Sequence, residues 1–273
     1  MRLNQLLGDS AARLGAKTAI VAGDTRHSYG ELDRKSDRLA AALAGRDFAA
    51  GDRLAVFLDD GFEAAVAIFA ALKANGVVAP IDPATAADDL AFVLDRCQAA
   101  AIVTQARLGS VAAAAMCKAA TVRLVVLAGG ERSRQARSCL SFEEAVGRLG
   151  PGPAPAPVGG DDDPAVLACA PLAVGMAEPV VLTHAQVAAA LDETPVGDDE
   201  SGLPPPISST RGLYGLLKTI KVGATLTLER RIAPRPGGHG GDLGNRAASG
   251  SRGWRRPVAK RRRGDGGERP WSG

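Results

Sequence analysis

The sequence predicts an α/β fold: an open, doubly wound, mostly parallel sheet with helices on both faces. Three observations predict it. Short apolar runs alternate with helical stretches of ten or more residues, the length a crossover between parallel strands requires. The run Leu54–Leu58 is apolar at every position, as in a strand covered on both faces. Finally, 46% of the 273 residues are hydrophobic and 23% charged, and the mean hydropathy is +0.01. That is enough apolar material for a packed core, and it excludes wholesale disorder, collagen and coiled coil.

In chain order, Leu3, Leu6, Leu7, Ala11 and Leu14 fall on one helical face, and Thr18 to Val21 reads as a short strand closed by Gly23-Asp24. Tyr29 opens a longer helix whose apolar face is Leu32, Ser36, Leu39, Ala40 and Leu43. After the strand at Leu54–Leu58 come a helix (Gly61 to Asn75), a strand (Val77 to Ile81) and a helix (Ala86 to Gln98). The pattern repeats with a strand at Ala100 to Thr104, a helix at Leu108 to Ala119 and a strand at Val122 to Leu127. The alternating Pro151–Pro157 segment interrupts this rhythm as a stiff surface connection. Beyond it lie strands at Ala165 to Cys169 and near Val180 to Thr183, a helix from His184, a helix at Leu213 to Ile220 and a strand at Ala224 to Leu228. A parallel sheet ending there would leave that last strand as an unpaired apolar edge, prone to aggregation.

The net charge of +3 averages two unlike regions. Residues 232–273 hold ten Lys/Arg, three Asp/Glu and 11 of the 33 glycines, a local charge of +7. Residues 1–231 hold the remaining 23 and 27, a charge of −4. With Ile232, Leu243 and Val258 as its only branched aliphatics, the tail offers no apolar face to offset the entropy of ordering, and we expect a disordered basic tail. Arg255-Arg256 and Lys260–Arg263, with Trp254 for stacking, would attract polyanions without sequence preference, so no specific nucleic-acid partner is expected. The longest apolar run, Ala64–Leu72, has nine residues against the roughly 20 a bilayer-spanning helix needs, so no membrane span is expected. The first residues, MRLNQLLGDS, lack a secretory pattern. Cys97, Cys117, Cys139 and Cys169 lie 20, 22 and 30 residues apart, which fits separate reduced thiols in a cytoplasmic protein.

Generic catalytic patterns are absent: the sequence contains no G-x-x-x-x-G-K-[ST], G-x-G-x-x-G, H-E-x-x-H or G-x-S-x-G. His27 precedes a helix start, His239 sits in the tail, and His184 stands at a strand-to-helix junction, where a helix-start role is the commoner one. Asp161-Asp162-Asp163 reads as a solvated turn rather than a cation site, because no second acidic cluster completes a coordination sphere. Glu143-Glu144 reads as first-turn acids on a helix opened by Ser141. No catalytic residue and no metal ligand is assigned on these grounds.

Five segments, in order, resemble the amino-terminal part of the AMP-forming acyl-CoA synthetases, the adenylate-forming ligases. Ser28-Tyr29-Gly30-Glu31-Leu32, with Ser36 and Leu39-Ala40, resembles "SYGEL…S…LA", and Gly51–Val56 resembles "GDRVAV". Leu72–Pro83, LKANGVVAPIDP, is similar to "LKAGAVYVPIDP". Val180–His184 matches the "GVVLTH" that ends the phosphate loop, and Gly212-Leu213-Tyr214 with Val222–Leu226 resembles "GLYQLL…VGATLVLE". The resemblance runs from about Leu3 to Arg231, which makes residues 1–231 a partial AMP-binding large domain, and it implies a reaction. ATP activates a small carboxylic acid to an acyl-adenylate with loss of pyrophosphate, and coenzyme A captures the acyl group. ATP, Mg²⁺ and CoA are the cofactors implied.

Against the family loop "YTSGSTGxPKGVVLTH", this chain reads CAPLAVGMAEPVVLTH over Cys169–His184. Gly175 alone remains from the phosphate-cradling half, so the cofactor-binding residues carried over are Gly175, Thr183 and His184. Glu178 stands where the family has lysine, and no lysine occurs between Lys118 and Lys218. An anion facing a phosphate at ~4 Å costs on the order of 1 to 4 kcal/mol, and the lysine's attraction is lost as well. Ser208-Ser209-Thr210-Arg211 replaces the aromatic or histidine residues usual in the acid pocket. The adenine-binding segment, the ribose-gripping aspartate, the hinge and the carboxy-terminal lysine would all follow residue 231. The Gly, Arg, Pro and Ala that dominate from Ile232 are what a shifted reading frame in a GC-rich gene would give. We therefore expect a truncated, catalytically impaired member of the family. The alternative is a non-catalytic α/β module binding an unidentified partner protein.

Overall fold

The leucines at Leu3, Leu6 and Leu7 bury one face of α1 (Leu3–Leu14), which packs against α2 (Tyr29–Ala44), α3 (Phe62–Lys73) and α8 (Thr210–Val222). The computed structural model describes residues 2–130, 139–147, 152–168, 179–193 and 205–228. Within these, the seven-stranded sheet has the order β7-β6-β5-β3-β4-β8-β9. Its strands are β3 (Arg53–Phe57), β4 (Val77–Pro80), β5 (Ala99–Gln105), β6 (Leu124–Ala128), β7 (Cys139–Ser141), β8 (Pro164–Ala168) and β9 (Val180–Thr183). Every pairing is parallel except β8–β9, so the predicted doubly wound, mostly parallel sheet is what the chain forms.

Strand alternation divides the core. Leu54 and Val56 of β3 join the apolar cluster under α1, α2 and α3, while Ala55 and Phe57 join the opposite cluster under α4 (Ala87–Arg96) and α5 (Gly109–Met116). Burying a side chain the size of Phe57 contributes on the order of 2–3 kcal/mol. α3 is apolar almost all round because it is a middle layer, with α1 and α2 on one side and the sheet on the other. At its end Gly76 is fixed sterically: a Cβ there would stand 2.5 Å from the Phe48 ring and 2.8 Å from the Asp52 carbonyl oxygen.

The second, three-stranded sheet has the order β10-β1-β2. The strand expected at Thr18–Val21 is β1 (Thr18–Ala22), and it turns at Gly23 into an antiparallel β2 (Thr25–Ser28) that the sequence reading does not contain. Thr-Arg-His-Ser has no apolar alternation, and none of its residues is buried, so it carried no periodic signal. The last strand also departs from expectation. β10 (Leu226–Leu228) is not an unpaired edge of the large sheet but pairs in parallel with β1, with Ile20 opposite Leu226 and Ala22 opposite Leu228.

Smaller differences follow the same logic. The helix expected from Leu108 divides into a 3₁₀ turn (Ala106–Leu108) and α5, and the following strand starts at Leu124 rather than Val122. β7, only three residues long, escaped a periodicity reading, whereas α6 (Phe142–Val146) opens at Ser141 as expected, with the Ser141 hydroxyl accepting from the Glu144 N–H at 3.3 Å. Cys169, Gly175, Glu178 and residues 232–273 lie outside the described residues. No described helix is long and apolar enough to cross a membrane.

Candidate functional site

The segment resembling "SYGEL" is a structural joint. Ser28 caps α2, its hydroxyl accepting from the Glu31 N–H at 3.1 Å, which is the first half of a Ser-x-x-Glu capping box. The Glu31 carboxylate instead turns outward to His27 (3.1 Å) and Lys35 (2.9 Å). Fully buried Tyr29 donates to the Ala224 carbonyl at 2.6 Å and lies 3.4 Å from that of Thr219. Burial pushes its phenol up to about 12. The start of α2 is thereby tied to the α8–β10 turn, where Gly223 closes α8 in the left-handed region at φ 74°. Ser209, in the segment compared with the acid pocket, caps α8 by accepting from the Gly212 N–H at 3.1 Å.

Two paired strands flank the phosphate-loop motif. β8 and β9 run antiparallel from Pro164 opposite Thr183 to Ala168 opposite Val180, and α7 (His184–Glu193) follows at once. Thr183 ends β9 and His184 opens α7. Both are engaged in local structure. The Thr183 hydroxyl accepts from the Gln186 N–H at 3.2 Å, and the Gln186 side chain accepts from the Thr183 N–H at 2.9 Å. His184, 3% exposed, accepts through Nδ1 from the Leu3 N–H at 3.2 Å and so satisfies an otherwise open donor at the α1 N-terminus. Burial, with Arg2 nearby, holds the His184 imidazolium below the ordinary histidine value, against an opposing pull from Asp161 and Asp163. The acidic run is the turn before β8: the Asp163 carboxylate accepts from the Gly160 N–H at 2.8 Å, and the Asp161 and Asp163 carbonyls receive the Ala185 and His184 N–H groups.

Asp59, Gln105 and Arg107 form a cluster that the sequence reading did not single out. The chain runs from β3 to β4 on one side and returns to place β5 on the other, so the order reverses between β3 and β5. A crevice beyond the carboxyl ends of strands at such a point is the usual ligand position in open α/β sheets. Here a cleft of about 620 Å³ opens there, between the ends of β3, β5 and β6 and the β1–β2 hairpin. On its wall Asp59, 5% exposed, receives the Arg107 guanidinium through both carboxylate oxygens, with Nε at 3.1 Å, and the Gln105 amide at 2.5 Å. Asp60 accepts from the Ile207 N–H at 2.9 Å, and Phe62 stacks on His27 with centroids 3.6 Å apart. The signal that could have found this cluster is positional: polar residues at the carboxyl ends of two largely apolar strands.

A nucleoside triphosphate needs cations and N–H donors around its phosphates. Neither β8 nor β9 carries a basic side chain, and the two described members of the motif are committed to capping bonds. Among the described residues no group of three or more His, Cys, Asp or Glu side chains could hold a metal ion.

The described chain is thus an open, mostly parallel sheet whose last parallel strand, β8, pairs antiparallel with β9, followed by α7. The model of the family described as AMP-binding enzyme matches residues 7–239, and the chain belongs to that family. The match ends a little beyond the Arg231 boundary read from composition. Bacitracin synthase 1 of Bacillus licheniformis is 35% identical over 122 residues, which is 45% of this chain and 2% of that protein. Among solved structures, the anthranilate CoA ligase AuaEII in complex with anthranoyl-AMP superposes with a TM-score of 0.76 at 17% identity, a likeness of fold, over 85% of this chain and 46% of that one. The Mycobacterium smegmatis MbtA apo structure gives a TM-score of 0.69 at 29% identity, over 84% and 44%. The chain thus spans less than half of these solved relatives and a small fraction of the bacitracin synthase.

Proposed function

We propose that this chain carries the amino-terminal scaffold of a ligase that activates a carboxylic acid with ATP as an acyl-adenylate and passes it to coenzyme A, and that its own ATP chemistry is impaired. The observation that carries the impairment is the replacement over Cys169–Pro179, with Glu178 in the lysine position and alanine, proline or valine in place of hydroxyls. The absence of a basic side chain on β8 and β9, and the structural bonds of Thr183 and His184, support the same reading. A substrate acid, Mg²⁺ and CoA follow from the family rather than from any group in the described residues. We further infer that residues 232–273 arise from a shifted reading frame. Sequencing the gene from codon 160 onward checks this: the expected result is another frame that continues synthetase sequence past codon 231, and no such frame would overturn the inference.

Nucleotide binding tests the impairment. A competent site would raise stability by about 2.7 kcal/mol at a hundredfold excess of ATP over its Kd. We expect no shift in the denaturation midpoint with ATP and Mg²⁺, and a saturable shift would overturn the reading. The second reading, a non-catalytic binding module, is favoured by the 620 Å³ cleft, which lies at the switch point yet is walled by the Asp59–Arg107 pair. It requires a folded, monodisperse protein that ignores ATP.

A further inference from the structure

Residues 152–160 form a strap rather than a loose linker. Three prolines (Pro153, Pro155, Pro157) favour an extended chain with no internal hydrogen bonds, so its position depends on a few outside contacts. Ala154 packs against the main apolar cluster, and the hydrogen bonds come from two places. The Asn75 amide donates through Nδ2 to the Ala156 carbonyl at 3.0 Å and accepts through Oδ1 from the Val158 N–H at 3.0 Å. The Arg2 guanidinium donates to the Gly159 carbonyl at 3.1 Å and also to that of Val158.

Asn75 can do this because of its backbone. It follows α3 at φ 59°, in the left-handed region that asparagine tolerates better than most residues. The fold there is pinned independently, since the Asn75 carbonyl accepts from the Gly51 N–H at 2.8 Å. The side chain thus leaves a rigid turn and pairs with the strap much as a neighbouring strand would, one donor and one acceptor to residues two apart. Asn4 donates to the same Oδ1 at 3.2 Å, which leaves the orientation of the Asn75 amide no alternative.

Beneath the strap lies a cavity of about 240 Å³, lined by the strap prolines together with Asn4, Asp33, Asp37 and Lys73. Lys73, 6% exposed, spends its three donors on the Asp33 carbonyl (3.1 Å) and on the Asp33 and Asp37 carboxylates (2.6 Å each). The strap is therefore held by a small number of bonds and the Ala154 contact over a polar cavity.

We propose that Asn75 is a latch: its amide holds the 152–160 strap closed over the Lys73–Asp33–Asp37 cavity, and releasing the amide lets the strap open without unfolding the domain. β8 begins four residues after the strap, so opening would loosen the entry to the strand that leads into residues 169–178. This proposal stands whether or not the chain binds ATP.

Amide hydrogen exchange on the full chain tests it. Asn75→Gly keeps the left-handed backbone free of strain and removes the latch. The expected result is that the Val158 amide exchanges about tenfold faster, the equivalent of one lost hydrogen bond, while the Gly51 amide stays as slow as in the parent. An unchanged Val158 amide would overturn the latch. Should both amides speed up, Asn75→Asp decides, because it keeps the Oδ1 acceptor and loses only the donor. A slow Val158 amide in that variant upholds the proposal, and a fast one refutes it.

Discussion

The segments 28–83 and 164–184 both carry family motifs, but they use them differently. In the first, most motif residues are buried scaffold: Tyr29 ties α2 to the α8–β10 turn, Gly76 admits Phe48, and Lys73 is enclosed by two carboxylates. In the second, Val180 and Val181 are exposed, and the two described site residues serve as caps. A motif residue inside a close-packed core cannot change without a cavity or a clash. A phosphate-binding residue answers to the ligand, and nothing in the core resists its replacement. Glu178, in the lysine position, lies outside the described residues.

The largest expected effect breaks the comparison at its strongest point. Arg107→Ala leaves Asp59 buried beside Gln105 without its guanidinium, and we expect a loss of about 3–5 kcal/mol in urea denaturation. A loss under about 1 kcal/mol, the scale of a surface pair, would mean that Asp59 is not a structural charge. Next, Gly76→Ala drives a methyl group onto the Phe48 ring and the Asp52 carbonyl, at a cost of about 2 kcal/mol. Tyr29→Phe and Thr183→Ala each remove hydrogen bonds that bind elements together and should cost about 1 kcal/mol apiece. A neutral Thr183→Ala would return Thr183 to the pool of ligand-facing residues.

The smallest effect is a pH dependence. The unfolded chain protonates His184 near its ordinary value of 6.5, while the folded chain holds the imidazole neutral to lower pH. Stability is therefore full above about 6.5 and falls as pH drops through the interval between the two values. Denaturation at pH 7.5 and 5.5 should show the loss, and His184→Gln, which keeps a neutral acceptor for the Leu3 N–H, should reduce it. An equal loss in both proteins would assign the effect elsewhere.

Much of the fold was legible because its signals are local and periodic. The continuous run at Leu54–Leu58 and the stripe through Leu32, Leu39 and Leu43 specify a covered strand and an amphipathic helix without reference to anything distant. What escaped was the pairing of distant segments. β2 has no apolar face, and the partnership of β10 with β1 joins residues 20 and 226, which no local pattern encodes. The site shows the same division. His184 at a helix start was readable, but its bond to the Leu3 N–H spans 181 positions. Asp59 and Arg107 meet because β3 and β5 are neighbours in the sheet, not in the sequence.

We propose that a family scaffold persists here without competence for ATP chemistry, and acid-dependent pyrophosphate–ATP exchange tests this. The purified chain would be offered mixed aliphatic, aromatic and amino acids with ATP and Mg²⁺. We expect exchange no faster than the acid-free blank for every mixture. Exchange that rises with any one acid and saturates would contradict it, and would mean that the Cys169–His184 segment handles phosphate despite Glu178.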